Sequence, residues 1–200
     1  KDKEGNFVNR ELKYQRVTSG SVGVNWRPTK QLIVSMEGFY KRYTDMPLCV
    51  LDNIPLACKG NDYGIFGNEA LVSSAQGRAY GVELLAKWQV PDRINASASL
   101  TLYQSEYRND KHSPYLPSAW DNHYILNMSC IWSLPRKWDL GAKLSVIGGS
   151  PYTPFDEEKS SLVEAWNASG RPLYNYDLYN TCRLASYAQL DLRIDKNYFF

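Results

Sequence analysis

The feature that most narrows the fold is an alternation of apolar and polar side chains with period two, sustained for about ten residues at a time. From Ile94 to Glu106, Ile94, Ala96, Ala98, Leu100 and Leu102 are apolar, while Asn95, Ser97, Ser99, Thr101, Tyr103 and Ser105 are polar or amphipathic. Tyr124, Leu126, Met128, Cys130, Trp132 and Leu134 oppose His123, Asn127, Ser129 and Ser133, with Ile125 and Ile131 as exceptions. Tyr80 to Trp88, Trp138 to Val146 and Leu190 to Ile194 repeat the pattern. Extended chain sends successive side chains to opposite faces, so each stretch reads as a strand with one apolar and one polar side. About seven strands are predicted, over 14–27, 31–43, 78–90, 94–107, 121–134, 138–148 and 187–196. Ser19, Gly20 and Gly23 weaken the first, and Glu37-Gly38-Phe39 blurs the second. Helix is expected only as a short turn between Glu157 and Trp166, inside a loop.

Length and connections give the pattern its meaning. Soluble strands mostly run about five or six residues, whereas a tilted strand that crosses a bilayer needs about 9–11. The links alternate between tight turns at Arg27–Lys30, Pro91–Arg93 and Pro135–Lys137 and long segments at 44–77, 108–120 and 149–186. Short turns at one end and long loops at the other define an all-β, antiparallel, up-and-down transmembrane β-barrel segment, with periplasmic turns and external loops. A mean hydropathy of −0.47 and the lack of any long apolar run exclude a membrane-spanning helix. They leave a barrel open, because its two faces average to a polar-looking sequence. With a formal charge of +2 and 22% charged residues, no nucleic-acid partner is expected. Trp26, Trp88, Trp132 and Trp138 lie near the short turns and on the apolar face, where a membrane-interface girdle would sit. Tyr40, Tyr80 and Tyr124 are candidates for the matching external belt.

Several segments carry a family likeness. Gly77-Arg78-Ala79-Tyr80-Gly81-Val82-Glu83-Leu84 resembles the recurring strand motif of TonB-dependent receptors, with its aromatic-Gly-Val-Glu-Leu core. Glu37-Gly38-Phe39-Tyr40-Lys41 is similar to the preceding strand of that family, and Leu100 to Glu106 to its partner. Trp120-Asp121-Asn122-His123 resembles a segment often written Trp-Asp-Asn-Arg-His, here without the Arg. Gly149-Ser150-Pro151-Tyr152-Thr153-Pro154 and Leu190 to Lys196 complete the series in the family's order, so the likeness covers about residues 14–200.

The resemblance implies outer-membrane active transport, with a scarce ligand (siderophore, cofactor, glycan or peptide) imported by energy delivered through TonB. It implies a barrel of about 22 strands around an N-terminal plug, of which residues 1–200 would form about strands 14 to 20. Plug domain, TonB box and closing strands are then expected outside this chain. The opening Lys-Asp-Lys-Glu-Gly-Asn shows no signal-peptide pattern, in line with that expectation. The implied partners are outer-membrane lipid, the receptor's own plug, TonB through the missing N-terminal region, and a surface lipoprotein as a further candidate. The implied location is the outer membrane of a Gram-negative-type cell. Two other readings stay open: another outer-membrane barrel, an adhesin or a barrel enzyme, and a soluble carbohydrate-binding β-sandwich.

The lumen-facing candidates for contact with plug or ligand path are Glu37, Lys41, Glu83, Lys87, Asp121, His123, Asp191 and Arg193. The competing reading is a solvated, mutually paired barrel wall, since a lumen is polar in any case. Asp121 and His123, at i and i+2, are expected to share a face of one strand, but no Gly-x-Ser-x-Gly elbow accompanies them. No catalytic residue is assigned, and the chain is read as not an enzyme. Tyr174, Tyr176, Asp177 and Tyr179 crowd one external loop and are candidates for first ligand contacts, or for packing on neighbouring loops. Of the cysteines, Cys49 and Cys58 share an external loop in an oxidising compartment and are candidates for a disulfide, with Cys182 as a competitor. Cys130 reads as a small residue on the apolar face. No Cys-x-x-Cys spacing is present, and neither metal nor cofactor is expected.

Overall fold

The computed structural model describes residues 8–60 and 67–198. Its strands, in chain order, are β1 (Arg16–Trp26), β2 (Leu32–Cys49), β3 (Leu71–Val90), β4 (Ile94–Arg108), β5 (Leu116–Pro117), β6 (Tyr124–Leu134), β7 (Trp138–Ile147), β8 (Pro151–Tyr152), β9 (Cys182–Arg183) and β10 (Tyr187–Lys196). Two short helices, α1 (Glu157–Ser160) and α2 (Val163–Ser169), lie in the loop where the sequence allowed one. The long strands form a single antiparallel sheet in the order β1-β2-β3-β4-β6-β7-β10, each beside its sequence neighbour. The short β5 pairs with the outer end of β4, and β8 and β9 make a separate two-stranded ribbon.

Residues directly opposite one another in antiparallel neighbours point to the same side, so the register defines the two faces. One row reads Leu32, Trp88, Ala96, Cys130, Ala142, Leu192 across the sheet. The next reads Val34, Ala86, Ala98, Met128, Leu144, Leu190, and the next Met36, Leu84, Leu100, Leu126, Val146, Ala188. These rows are apolar throughout. On the other side lie Lys87, Ser97, Ser129, Lys143, Asp191, then Leu85, Ser99, Asn127, Ser145, Gln189. Hydroxyls bond laterally here, with Ser97 and Ser129 oxygens 2.9 Å apart and Ser145 donating to Asn127 Oδ1 at 3.0 Å. The exception Ile125 sits on this polar side, opposite Thr101 and Ile147.

Among the described residues, no second sheet covers the apolar face. On inner strands Met36 is 52% exposed and Leu102 48%, a degree of exposure that water would penalise heavily. All four girdle tryptophans stand on this face at the short-turn end, and Tyr40 and Tyr80 stack 6.4 Å apart toward the loop end. Turns of three residues join β3 to β4 and β6 to β7; Asp92, Arg136 and Lys137 take left-handed backbone there.

Strand bounds differ from the sequence reading at three places. β2 and β3 run well beyond residues 43 and 78 into the expected loop, ending at Cys49 and beginning at Leu71. Asp45 adopts φ 56 and the register slips on either side of Met46, which breaks the alternation without ending the strand. β6 starts at Tyr124 rather than at 121. Asp121 and His123 therefore precede the strand, and His123 has φ 67. The turn is closed by Asp121 N–H to Ser118 O and Asn122 N–H to Trp120 O.

Among the described residues, β1 and β10 each have one strand neighbour, so two rows of backbone groups lack partners in the sheet. At membrane depth such groups cost several kcal/mol each. The isolated 200-residue chain should therefore aggregate or pair through its edges in detergent. Sedimentation giving a monodisperse, cooperatively unfolding monomer would contradict this.

Candidate functional site

The loops beyond the sheet do not splay outward; they fold over the polar face. Tyr43, Gly77 and Tyr107 share one row of that face, and the two tyrosine rings lie 5.6 Å apart. Gly77 is required there, because a Cβ would lie 2.2 Å from the Tyr107 ring. Against this platform pack Met46, Leu48, Ile54, Cys58, Ala75 and Tyr179, with Leu116 at the margin. Ser118 Oγ donates to Ser105 Oγ at 2.9 Å, so the second loop also sits on the polar side. The buried core of the described residues is this cap.

Polar clasps hold the cap together. Asn180, buried and with φ 53, donates from one side-chain amide to Cys58 O at 2.8 Å and to Pro117 O at 2.9 Å. Its backbone N–H donates to Thr153 Oγ1 at 3.1 Å. One residue thus joins all three long loops. Asp121, only 3% exposed, accepts from Ser105 N–H at 2.8 Å and meets Arg183 Nη2 at 2.5 Å. Arg183 also donates to Gly149 O and reaches His123 Nε2 at 2.7 Å, while His123 Nε2 is 3.1 Å from Asp121 Oδ2. The structure therefore brings Asp121 and His123 together, but through a turn and an arginine of β9 rather than along a strand. In the first loop, Lys59 bonds Asp52 at 2.5 Å and Glu69 at 3.1 Å. Burial opposes the charge on Lys59, but hydrogen bonds to Asp52, Cys49 and Glu69 raise it above the ordinary lysine range. Burial likewise opposes the charge on Glu69, yet backbone N–H groups and Lys59 hold its carboxyl below the usual value.

Of the loop tyrosines, Tyr174 stacks on Phe155 at 5.1 Å, and Tyr179 is buried in the cap against Tyr176 at 6.1 Å. Tyr176 itself is 56% exposed, and Asp177 donates its N–H to Asn175 within a short 3-10 turn. Tyr174 and Tyr179 line a cavity of about 480 Å³ together with Tyr152, Thr153, Phe155 and Asn180. Aromatic walls with a few convergent hydroxyl and amide groups suit a small organic ligand. The bridge expected between Cys49 and Cys58 is not formed in the structure, where all four cysteines are free thiols. Cys58 turns its sulfur toward Leu116 O at 3.7 Å, and burial pushes its pKa up to about 12.

The remaining lumen candidates lie along the polar face. Glu37 stands directly opposite Glu83, Lys87 opposite Ser97, and Asp191 opposite Lys143. Lys41 covers the Phe39 ring at 5.5 Å, and Arg193 pairs with Asp195 at 2.6 Å. Asn180, Arg183 and Lys59 were not among the residues singled out from sequence. They lie in irregular loops, and only the left-handed backbone tendency of asparagine hints at one of them.

A two-faced antiparallel sheet with short turns below and folded loops above defines a wall segment of a transmembrane β-barrel. The sequence matches the family described as "TonB dependent receptor-like, beta-barrel" over residues 3–199, and the chain belongs to that family. Its members reside in the Gram-negative outer membrane, so the soluble sandwich reading is set aside. Among solved structures, the chain is similar to the ferric yersiniabactin uptake receptor FyuA from Yersinia pestis (16% identity, TM-score 0.56, 90% of this chain and 22% of that one). It is also similar to the FrpB iron transporter from Neisseria meningitidis (11%, 0.58, 94% and 25%). A third is the ferric-catecholate import receptor Fiu from E. coli K12 (14%, 0.61, 95% and 22%). This chain thus spans about a quarter of those proteins. No curated protein sequence matches it.

Replacing Arg183 by Met should leave buried Asp121 with Ser105 N–H and His123 as its partners, at a cost of about 3 kcal/mol borne by the cap. Limited proteolysis of the full-length receptor should then cut residues 149–186 at least about a hundredfold faster, because cleavage follows the open population. An unchanged rate would show that the clasp contributes little.

Proposed function

We propose that this chain forms part of the wall of a TonB-dependent importer, with its apolar face in outer-membrane lipid and its polar face toward lumen and plug. The observation that carries this reading is the one-sided cap. Loops pack over the polar face and leave the apolar face bare from the tryptophan girdle to the tyrosine belt, the arrangement expected where lipid covers one side and a filled channel the other.

Within the lumen, Glu37 and Glu83 are the strongest candidates for plug contact. Like charges set directly opposite repel, and neither carboxylate has a cationic partner among the described residues. An arginine or lysine from the plug would relieve both. The aromatic cavity lined by Tyr174 and Tyr179 is the proposed point of early contact with an arriving ligand. Three structural neighbours are iron or ferric-chelate receptors by name, so a ferric chelate is the first ligand to test.

Two measurements test the reading. Spin labels at 100, 102, 126 and 128 of the reconstituted full-length receptor should be relaxed by oxygen in lipid and spared by an aqueous nickel chelate. Labels at 101, 103 and 127 should not show that lipid signature, and equal behaviour on both faces would refute the assignment. In cells, uptake of a radiolabelled ferric chelate should require both the full-length receptor and TonB. Uptake unaffected by loss of TonB would remove energised transport from the reading.

A further inference from the structure

The outward end of the apolar face carries an arginine row. Arg16 on β1, Arg42 on β2, Arg78 on β3 and Arg108 on β4 all share the face of Tyr40 and Tyr80, one or two rows beyond those rings. Arg42 lies directly opposite Arg78, two residues beyond Tyr40 and Tyr80 respectively. On β3, eight residues separate Trp88 from Tyr80, which at about 3.3 Å per residue gives about 26 Å along the strand. Strand tilt reduces that to about 20 Å of height, close to the apolar band of such barrels, so the arginines fall at headgroup level.

Their pairing is incomplete. Arg78 meets Glu106 at 2.5 Å, and Arg16 meets Asp45 at 3.2 Å. Asp110, the remaining carboxylate nearby, accepts from the backbone of His112 and Ser113. Among the described residues, no carboxylate pairs with Arg42 or Arg108. Arg108 donates to Gln76 and to Lys111 O, and its Nε is buried without a partner. Tyr115 is sandwiched under the Arg78 and Arg108 guanidiniums, at 4.0 and 4.8 Å from the ring centroid, which fixes two forks in place. Arg78 has Arg42 on one side and its partner Glu106 on the other, so a single carboxylate is set against three arginines and the Arg42–Arg78 juxtaposition stays repulsive. A phosphate oxygen set would relieve that repulsion and match guanidinium geometry.

From this we infer that Arg42, Arg78 and Arg108 form a binding site for the phosphate groups of an outer-leaflet glycolipid headgroup, resting on the lipid-facing assignment proposed above. The lipid rather than a soluble phosphate is the occupant, because the row continues the lipid-facing side just beyond the tyrosine belt, at headgroup level.

The test uses full-length receptor in nanodiscs and native mass spectrometry, with bis-phosphorylated lipid A as probe. Arg42→Gln with Arg108→Gln should weaken its retention about 30-fold, the worth of two arginines beside an anionic leaflet. Lys41→Gln, one residue away on the opposite face, should leave retention unchanged, as should millimolar inorganic phosphate. Equal retention of dephosphorylated lipid A, unchanged retention by the double variant, or displacement by free phosphate would overturn the inference. The spin-label pattern at Leu100 and Leu126, measured on the same preparation, separates this failure from failure of the face assignment.

Discussion

The rest of the structure depends on one requirement: in hydrocarbon, every backbone N–H and C=O must find a partner within the protein. Seven long strands, each paired to its neighbour in sequence, meet it everywhere but along the outer edges of β1 and β10. Once the ladder is fixed, side chains can only alternate between two surroundings. Turns and irregular backbone are then confined to the two ends, where water is available. The bulge at Asp45 and the left-handed residues at Asp92, Arg136, Lys137 and His123 all lie at ends of the long ladder or beyond it.

The apolar face reverses the usual logic of burial. Met36, Leu102 and Met128, on inner strands, stay about half exposed where a soluble protein would hide them. The side chains that this chain does bury belong to the loop cap, whose core is made by Tyr43 and Tyr107 of the sheet with residues of the loops. Lipid supplies the surroundings of one region and loop packing supplies the other.

Strand existence, face and connection pattern were legible in the sequence, because period two survives wherever one side meets a uniform solvent. Ile125 and Ile131 interrupt the pattern because the polar face tolerates apolar residues more readily than the apolar face tolerates charge. The outer halves of β2 and β3 were not legible, since the slip near Met46 shifts phase and both sides are partly covered by loops. Asp121 and His123 kept their association while losing their strand, because alternation cannot distinguish a strand's first residues from the turn feeding it. Arg183 and Asn180 were invisible for a different reason. Their partners lie about sixty residues or more away along the chain, at Asp121, Pro117 and Cys58. No local pattern encodes such contacts.

The clasp at Asn180 also bears on how such a protein can change. Three loops share a single amide, so each is fitted to the other two rather than to the barrel alone. A loop exchanged singly between relatives would arrive with half a joint, leaving Cys58 O or Pro117 O without its donor. Exchanged together, the three would carry the joint with them. The surface that varies most freely in a barrel is here an inherited set.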